Sequence, residues 1–259
     1  ELDRAIVDAQ ATVELVAGLP TPAHDRETLM VSLRHPAEYP FADGRIAGTD
    51  GTDAAPGEWD AVFREEHHEG SNALHARTLD GRTYLLGPSA RVTLAGGQLH
   101  PIAAEALRRT GLADEIRTNI YRSIVARAVE LLAACAEARD LVDAYAVPAI
   151  VRVPHVPRTG RAAWSTEAPR GLIFHRYEVD GQGRVVAAQI VPPTSQNQGS
   201  IEADLAGFAP SVLALPHAEA THRLEQLIRS YDPCISCATH FLDLRIEEDG
   251  PDGAPEPST

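Results

Sequence analysis

Cys234 and Cys237 stand three residues apart, and His240 follows three residues later, in the string Tyr231-Asp232-Pro233-Cys234-Ile235-Ser236-Cys237-Ala238-Thr239-His240. Two thiolates and an imidazole this close in sequence can converge on a metal ion. By spacing alone a CxxC pair reads first as half of a zinc site and second as a redox dithiol. The bland alternative is a pair of core cysteines, since free cysteine is among the most buried residues. That alternative suits Cys135, but Asp232, Pro233, Ser236, Thr239 and His240 make the setting of the pair polar. Two other stretches hold residues able to work beside such a pair: Glu167-Ala168-Pro169-Arg170-Gly171 and Val191-Pro192-Pro193-Thr194-Ser195-Gln196-Asn197. Arg170 offers a permanent cation with several donors. Alone it reads as a surface ion pair, and Thr194-Ser195 alone reads as a helix cap.

The elements that must position these residues are legible from periodicity. Leu172 to Val179 and Arg184 to Val191 are β-prone runs joined by Asp180-Gly181-Gln182-Gly183, which predicts a hairpin. Pro169-Arg170 precedes its first strand and Pro193-Thr194 follows its second, so antiparallel pairing makes them neighbours. Helices are expected over Gln196–Leu205 and His217–Arg229, the second ending at Tyr231-Asp232-Pro233 and presenting the cysteines. Upstream, Leu2, Ile6, Ala9, Val13 and Val16 define an amphipathic helix ended by Gly18-Leu19-Pro20. Asp114 to Tyr145 reads as one long helix with Ile120, Ile124, Ala128, Leu131, Cys135, Ala138 and Val142 on its apolar stripe; Val125, Val129 and Leu132 widen it, so the helix is buried on more than one side and Cys135 is core. Short strands are expected at Leu29–Leu33 and Arg82–Leu86, and the Gly48–Gly57 tract reads as a disordered or variable insertion. Glu65-Glu66-His67-His68-Glu69 reads as a solvated face rather than a metal site.

The chain has 259 residues, 44% of them hydrophobic, enough for one large domain or two small ones. A formal net charge of −14 argues against nucleic acid as a partner. No apolar run approaches the roughly 20 residues that span a bilayer, and three cysteines do not make a disulfide framework. A reducing cytoplasm is the expected compartment. The only methionine is Met30, and the chain opens inside a helix pattern, which suggests the C-terminal part of a longer protein.

The wording Ser-Tyr-Asp-Pro-Cys-Ile-Ser-Cys-Ala-Thr-His-Phe resembles the C-terminal motif of nickel–iron hydrogenase large subunits, in particular the cytoplasmic, multi-subunit branch linked to NAD(P) or a similar soluble carrier. Glu167–Gly171 and Pro192–Asn197 match that family's other late motifs in order. The resemblance implies a mainly helical bundle with a small β-hairpin insertion, and reversible oxidation of H2 to protons and electrons. It implies that Cys234 is a terminal nickel ligand and first proton acceptor, and that Cys237 bridges nickel and iron. The iron would carry carbon monoxide and cyanide, cradled by Arg170 and Thr194 and walled by Pro169 and Pro193, with Asp232 pairing Arg170. His240 and the carbonyl of Ile190 would hold a magnesium-type ion. Residues 1–240 would be the C-terminal portion of the large-subunit domain, and 241–259 a tail that a maturation endopeptidase removes. Implied partners are an iron–sulfur small subunit and diaphorase-type electron-transfer subunits.

The family carries a second CxxC pair near its N-terminus, and none precedes Cys234 here. Residues 1–259 alone are therefore expected to be inactive. Two further readings stand beside this one: a nickel-free, hydrogenase-like structural or coupling subunit, and a zinc-stabilised binding module.

Overall fold

The computed structural model describes residues 1–69, 71, 73–234 and 244–246. Its helical part is assembled on two antiparallel-patterned elements, helix α1 (Leu2–Ala17) and helix α5 (Ser123–Asp143), which pack along their lengths. Ile6, Ala9, Val13 and Val16 of α1 are buried, matching the three-and-four spacing. Helices α2 (Pro88–Ala95), α3 (Pro101–Thr110) and α4 (Ala113–Thr118) pack around α5 and complete this core.

The long helix expected over residues 114–145 is broken. Asn119 takes an extended conformation, φ −114 and ψ 109, and its side-chain oxygen accepts the Tyr121 N–H at 3.0 Å. That bond gives the backbone an alternative to the helical ladder, and α4 and α5 meet there across a single tight turn. Val125, Val129 and Leu132 of α5 are buried as expected, together with Ala126, Ala128, Ala133 and Ala136, whereas Leu131 and Val142 of the expected stripe are 50% and 65% exposed. Cys135 is half-buried and packs against the same core, on the core side as expected.

Three small antiparallel sheets make up the rest. The first orders β1 (Val31–Arg34), β2 (Arg45–Gly48) and β3 (Asp53–Ala54). The tract expected to be a variable insertion is thus part of a sheet, with Ile46 opposite Ala54. Its turn is held by Asp50, whose Oδ1 accepts from the Thr52 N–H at 3.0 Å and Oγ1 at 2.7 Å, with Gly51 at φ +91. The second sheet pairs β4 (Phe63–His67) with β5 (Leu74–Thr78), and on it Glu66 lies between Arg64 and Arg77. Arg82–Leu86 does not form the expected strand. Leu85 makes only an isolated bridge to Met30, and the Leu86 N–H is taken at 2.7 Å by Asn197 Oδ1.

The third sheet orders β6 (Gly160–Ala168), β7 (Gly171–Val179) and β8 (Val185–Val191). The predicted hairpin is β7–β8, with Phe174 opposite Val191. β6 was not expected: proline-rich sequence precedes it and most of its outer half is exposed. Helices α6 (Pro193–Phe208) and α7 (His217–Ser230) follow. α6 starts at Pro193, three residues before the expected Gln196, because proline suits the first helical position. Thr194 therefore lies inside the first turn and does not cap it. Met30, Leu85, Ile201, Phe208, Leu224 and Leu227 form a second core between α6 and α7. Leu33, Ile46, Trp59, Phe63, Leu172 and Phe174 form a third between the sheets. Among the described residues, no helix is long and apolar enough to cross a membrane.

Candidate functional site

Ala168 pairs with Gly171, so Pro169 and Arg170 are the two residues at the tip of the β6–β7 hairpin. Gly171 has φ +131, and a Cβ there would meet the Leu86 side chain and lie 2.8 Å from the Gly87 nitrogen. This close approach sets the tip against the start of α2. From α2, Arg91 reaches under the tip and donates to the carbonyls of Ala168 at 2.9 Å and Pro169 at 3.0 Å. The same guanidinium contacts Glu167 at 2.8 Å and both oxygens of Glu130 at 2.6 and 2.7 Å. Tyr39 Oη donates to Glu130 at 2.7 Å, and the Leu33 N–H to Glu167 at 2.7 Å. Burial pushes the Glu167 carboxyl up to about 7, against the pull of Arg91 and the Leu33 N–H. Burial opposes the charge on Arg91, but the two carboxylates outweigh it and raise its pKa further.

The start of α6 is fixed by buried amides. Gln196 Oε1 accepts from Trp59 Nε1 at 3.1 Å and Tyr84 Oη at 3.0 Å, and its Nε2 donates to the Leu172 carbonyl at 2.7 Å. It thereby joins the end of β8 to the start of β7, which is how Pro193-Thr194 and Pro169-Arg170 become neighbours. Pro193 and Thr194 are buried, whereas Pro169 is exposed at the tip.

The third wall leaves the end of α7. Asp232 adopts φ +52, a conformation that aspartate tolerates better than most side chains. Arg170 Nε donates to the Asp232 carbonyl and lies 3.4 Å from its Oδ2. Arg127, from α5, pairs with Asp232 Oδ1 at 3.6 Å. Burial lowers the Arg127 pKa, Asp232 raises it and Arg170 lowers it again. The Cys234 N–H donates to Thr194 Oγ1 at 3.4 Å. Beneath this arm Asp204 accepts from Arg26 Nε and Tyr231 Oη, with His24 Nε2 at 3.2 Å. Ser123 Oγ donates to the Ser230 carbonyl.

Arg170, Thr194, Asp232 and Cys234 thus come together from three distant segments. Ile190 lies on β8 opposite His175 and is 49% exposed. Cys237, His240 and most of the tail lie outside the described residues. A cavity of about 710 Å³ between α1 and α3 contains none of the predicted site residues. Arg91, Glu130, Tyr39, Arg127, Arg26 and Asp204 carry no motif. For Arg91 the one sequence signal is a charge inside the short helix Pro88–Ala95, and Arg26 and Tyr39 lie outside the helices and strands.

Among the described residues, no three His, Cys, Asp or Glu side chains converge as a metal group. The donor chemistry nevertheless fits a soft metal with small anionic ligands: one thiol, one hydroxyl and two guanidinium groups around a half-buried mouth. The sequence profile of the nickel-dependent hydrogenase family matches residues 74–240. The chain belongs to that family, among its large, catalytic subunits. It is 33% identical over 166 residues to NAD-reducing hydrogenase HoxS subunit beta of Cupriavidus necator, covering 61% of this chain and 34% of that protein. It is 28% identical over 257 residues to sulfhydrogenase 1 subunit alpha of Pyrococcus furiosus, covering 94% of this chain and 57% of that protein. Its fold is similar to the crystal structure of an NAD+-reducing [NiFe]-hydrogenase in the H2-reduced state, with TM-score 0.69 and 24% identity over 92% of this chain and 58% of that one. The mainly helical architecture with small antiparallel sheets is that of the hydrogenase large subunits. The chain spans well under two thirds of the length of each of these relatives.

Proposed function

We propose that this chain forms the catalytic-subunit part of a nickel–iron hydrogenase that reversibly oxidises H2. The observation that carries the proposal is the meeting of Arg170, Thr194, Asp232 and Cys234. Cys234 and Cys237 would hold a nickel–iron centre with carbon monoxide and cyanide, which would supply the electrophile that polarises H2, and the Cys234 Sγ would take the first proton. The Arg170 guanidinium and the Thr194 hydroxyl offer donors to the small anionic ligands. Asp232 holds Arg170 in place, with Arg127 behind it. Pro193 walls one side, and Pro169 closes the other where the tip meets the rest of the site. His240, with the Ile190 carbonyl, holds a magnesium-type ion. A maturation endopeptidase removes the tail after His240.

Electrons pass to an iron–sulfur small subunit and on, through diaphorase-type subunits, to NAD(P) or a similar carrier in the cytoplasm. The name of the NAD-reducing relative supports that acceptor. The test is metal analysis of the native complex containing this chain, with H2-driven reduction of a viologen dye. Stoichiometric nickel and dye reduction, both lost in Cys234→Ser, are expected. Stoichiometric zinc without nickel, or a Cys234→Ser complex that keeps nickel and activity, would count against the proposal.

A further inference from the structure

We propose that Arg91 is a positioning residue for Arg170, setting the height and direction of the hairpin tip that carries it. The inference rests on the nickel–iron reading of the site. Arg91 is 1% exposed. Its Nε donates to Glu130 Oε1, Nη1 to Glu167 Oε2 and the Ala168 carbonyl, and Nη2 to Glu130 Oε2 and the Pro169 carbonyl. These five bonds match the five N–H donors a guanidinium has. Two of them end on the carbonyls of the two residues immediately before Arg170.

The guanidinium is planar and its donors have fixed directions, so it locks its acceptors relative to one another. Glu130 belongs to α5 and Glu167 to β6, and the Leu33 N–H ties Glu167 to β1. The tip is therefore referenced to two helices and two strands at once. A buried ion cluster of this kind adds little net stability over a well-packed apolar replacement. What an apolar replacement cannot do is fix two main-chain carbonyls. On its other side the tip is held by Asp232, through the bond from Arg170 Nε. Arg91 and Asp232 thus set the two ends of a short lever, one at the backbone before Arg170 and one at its side chain.

Lysine keeps the charge but has one compact ammonium, so Arg91→Lys releases the fork. The test uses the assembled native complex and three readouts: the infrared bands of metal-bound carbon monoxide and cyanide, kcat and KM for H2, and the melting temperature. Ile6→Ala, in the helical core on α1, serves as the control for lost stability alone. Arg91→Lys is expected to shift the bands and lower kcat roughly 100-fold at unchanged KM, the scale for a displacement of about 1 Å near the chemistry. Ile6→Ala is expected to lower the melting temperature and leave bands and kcat in place. Unchanged bands and kcat in Arg91→Lys, or an equal band shift in Ile6→Ala, would overturn the inference. If Arg91→Lys does not assemble, Tyr39→Phe removes only the Tyr39–Glu130 bond. A smaller band shift there supports the inference, and no shift overturns it. Bands absent from the wild-type complex overturn the reading of the site itself, whereas bands present but indifferent to Arg91 overturn the positioning role alone.

Discussion

Two buried charge clusters stand behind the site, and they are built with opposite polarity. Under Pro169-Arg170 a cation sits at the centre: Arg91 is 1% exposed, with Glu130 and Glu167 around it. Under Asp232–Cys234 an anion sits at the centre: Asp204 is 2% exposed, with Arg26, His24 and Tyr231 around it. The first cluster grips two main-chain carbonyls of the tip, with the Arg91 and Glu167 side chains buried. The second grips the Tyr231 side chain, and its Arg26 side chain remains 25% exposed. The arginine wall is held by one buried guanidinium that makes five bonds, while the cysteine wall is held by separate single bonds at Ser230, Asp232 and Cys234 and passes through Asp232 at φ +52. The difference suggests a rigid wall facing an arm that can give.

The most severe way to break the comparison is Gly171→Ala. A Cβ there meets Leu86 and lies 2.8 Å from the Gly87 nitrogen, in a backbone with φ +131. Strain and overlap together cost about 2–6 kcal/mol, and the expected outcome is loss of assembled complex, read as yield and melting temperature. Next comes Asp204→Ala, which strands Arg26 and Tyr231 and costs about 3–5 kcal/mol. Amide exchange over 231–234 should quicken while 168–171 stays slow, and Arg91→Lys should give the reverse. Equal quickening at both walls would erase the distinction drawn between them.

Glu167→Gln sharpens the comparison through pH. With the folded carboxyl held at about 7, above its ordinary 4.5, the unfolded chain releases this proton first as pH rises. Its contribution to stability is complete below about pH 4.5 and is lost as pH climbs through 7, by an amount on the order of 3 kcal/mol. The glutamine variant should flatten that part of the stability curve, measured by denaturant unfolding at pH 5 and pH 8. A wild-type slope that persists in the variant would assign it elsewhere. The smallest effect is Tyr39→Phe, about 1–2 kcal/mol for one bond to a charged acceptor, with the cysteine arm unaffected in exchange.

Much of the site's outline was legible in local sequence. The Gly-containing turn between two β-prone runs predicts the β7–β8 hairpin, and that hairpin places Pro169-Arg170 beside Pro193-Thr194. The pairing of Asp232 with Arg170 also holds. The supports were not legible. Asp204 in α6 and Arg91 in α2 look locally like any helical charge, and only tertiary packing buries them. The bend at Asn119 hides in a run whose apolar spacing continues through it, and the outcome turns on one side-chain bond. β6 escapes because most of its outer half faces solvent and carries no alternating pattern. On α5 the apolar spacing locates Val125, Val129 and Leu132 in the core, but it counts Leu131 and Val142 alike, and where the neighbouring helices sit leaves those two exposed.

The most direct test of the central claim is infrared spectroscopy of the intact wild-type complex beside Arg170→Lys, in the window where metal-bound carbon monoxide and cyanide absorb. The account predicts those bands in wild type and a displacement of the cyanide bands in the variant, because Arg170 is placed to donate to those ligands. Bands missing from metal-replete wild type, or bands identical in the two proteins, would contradict it.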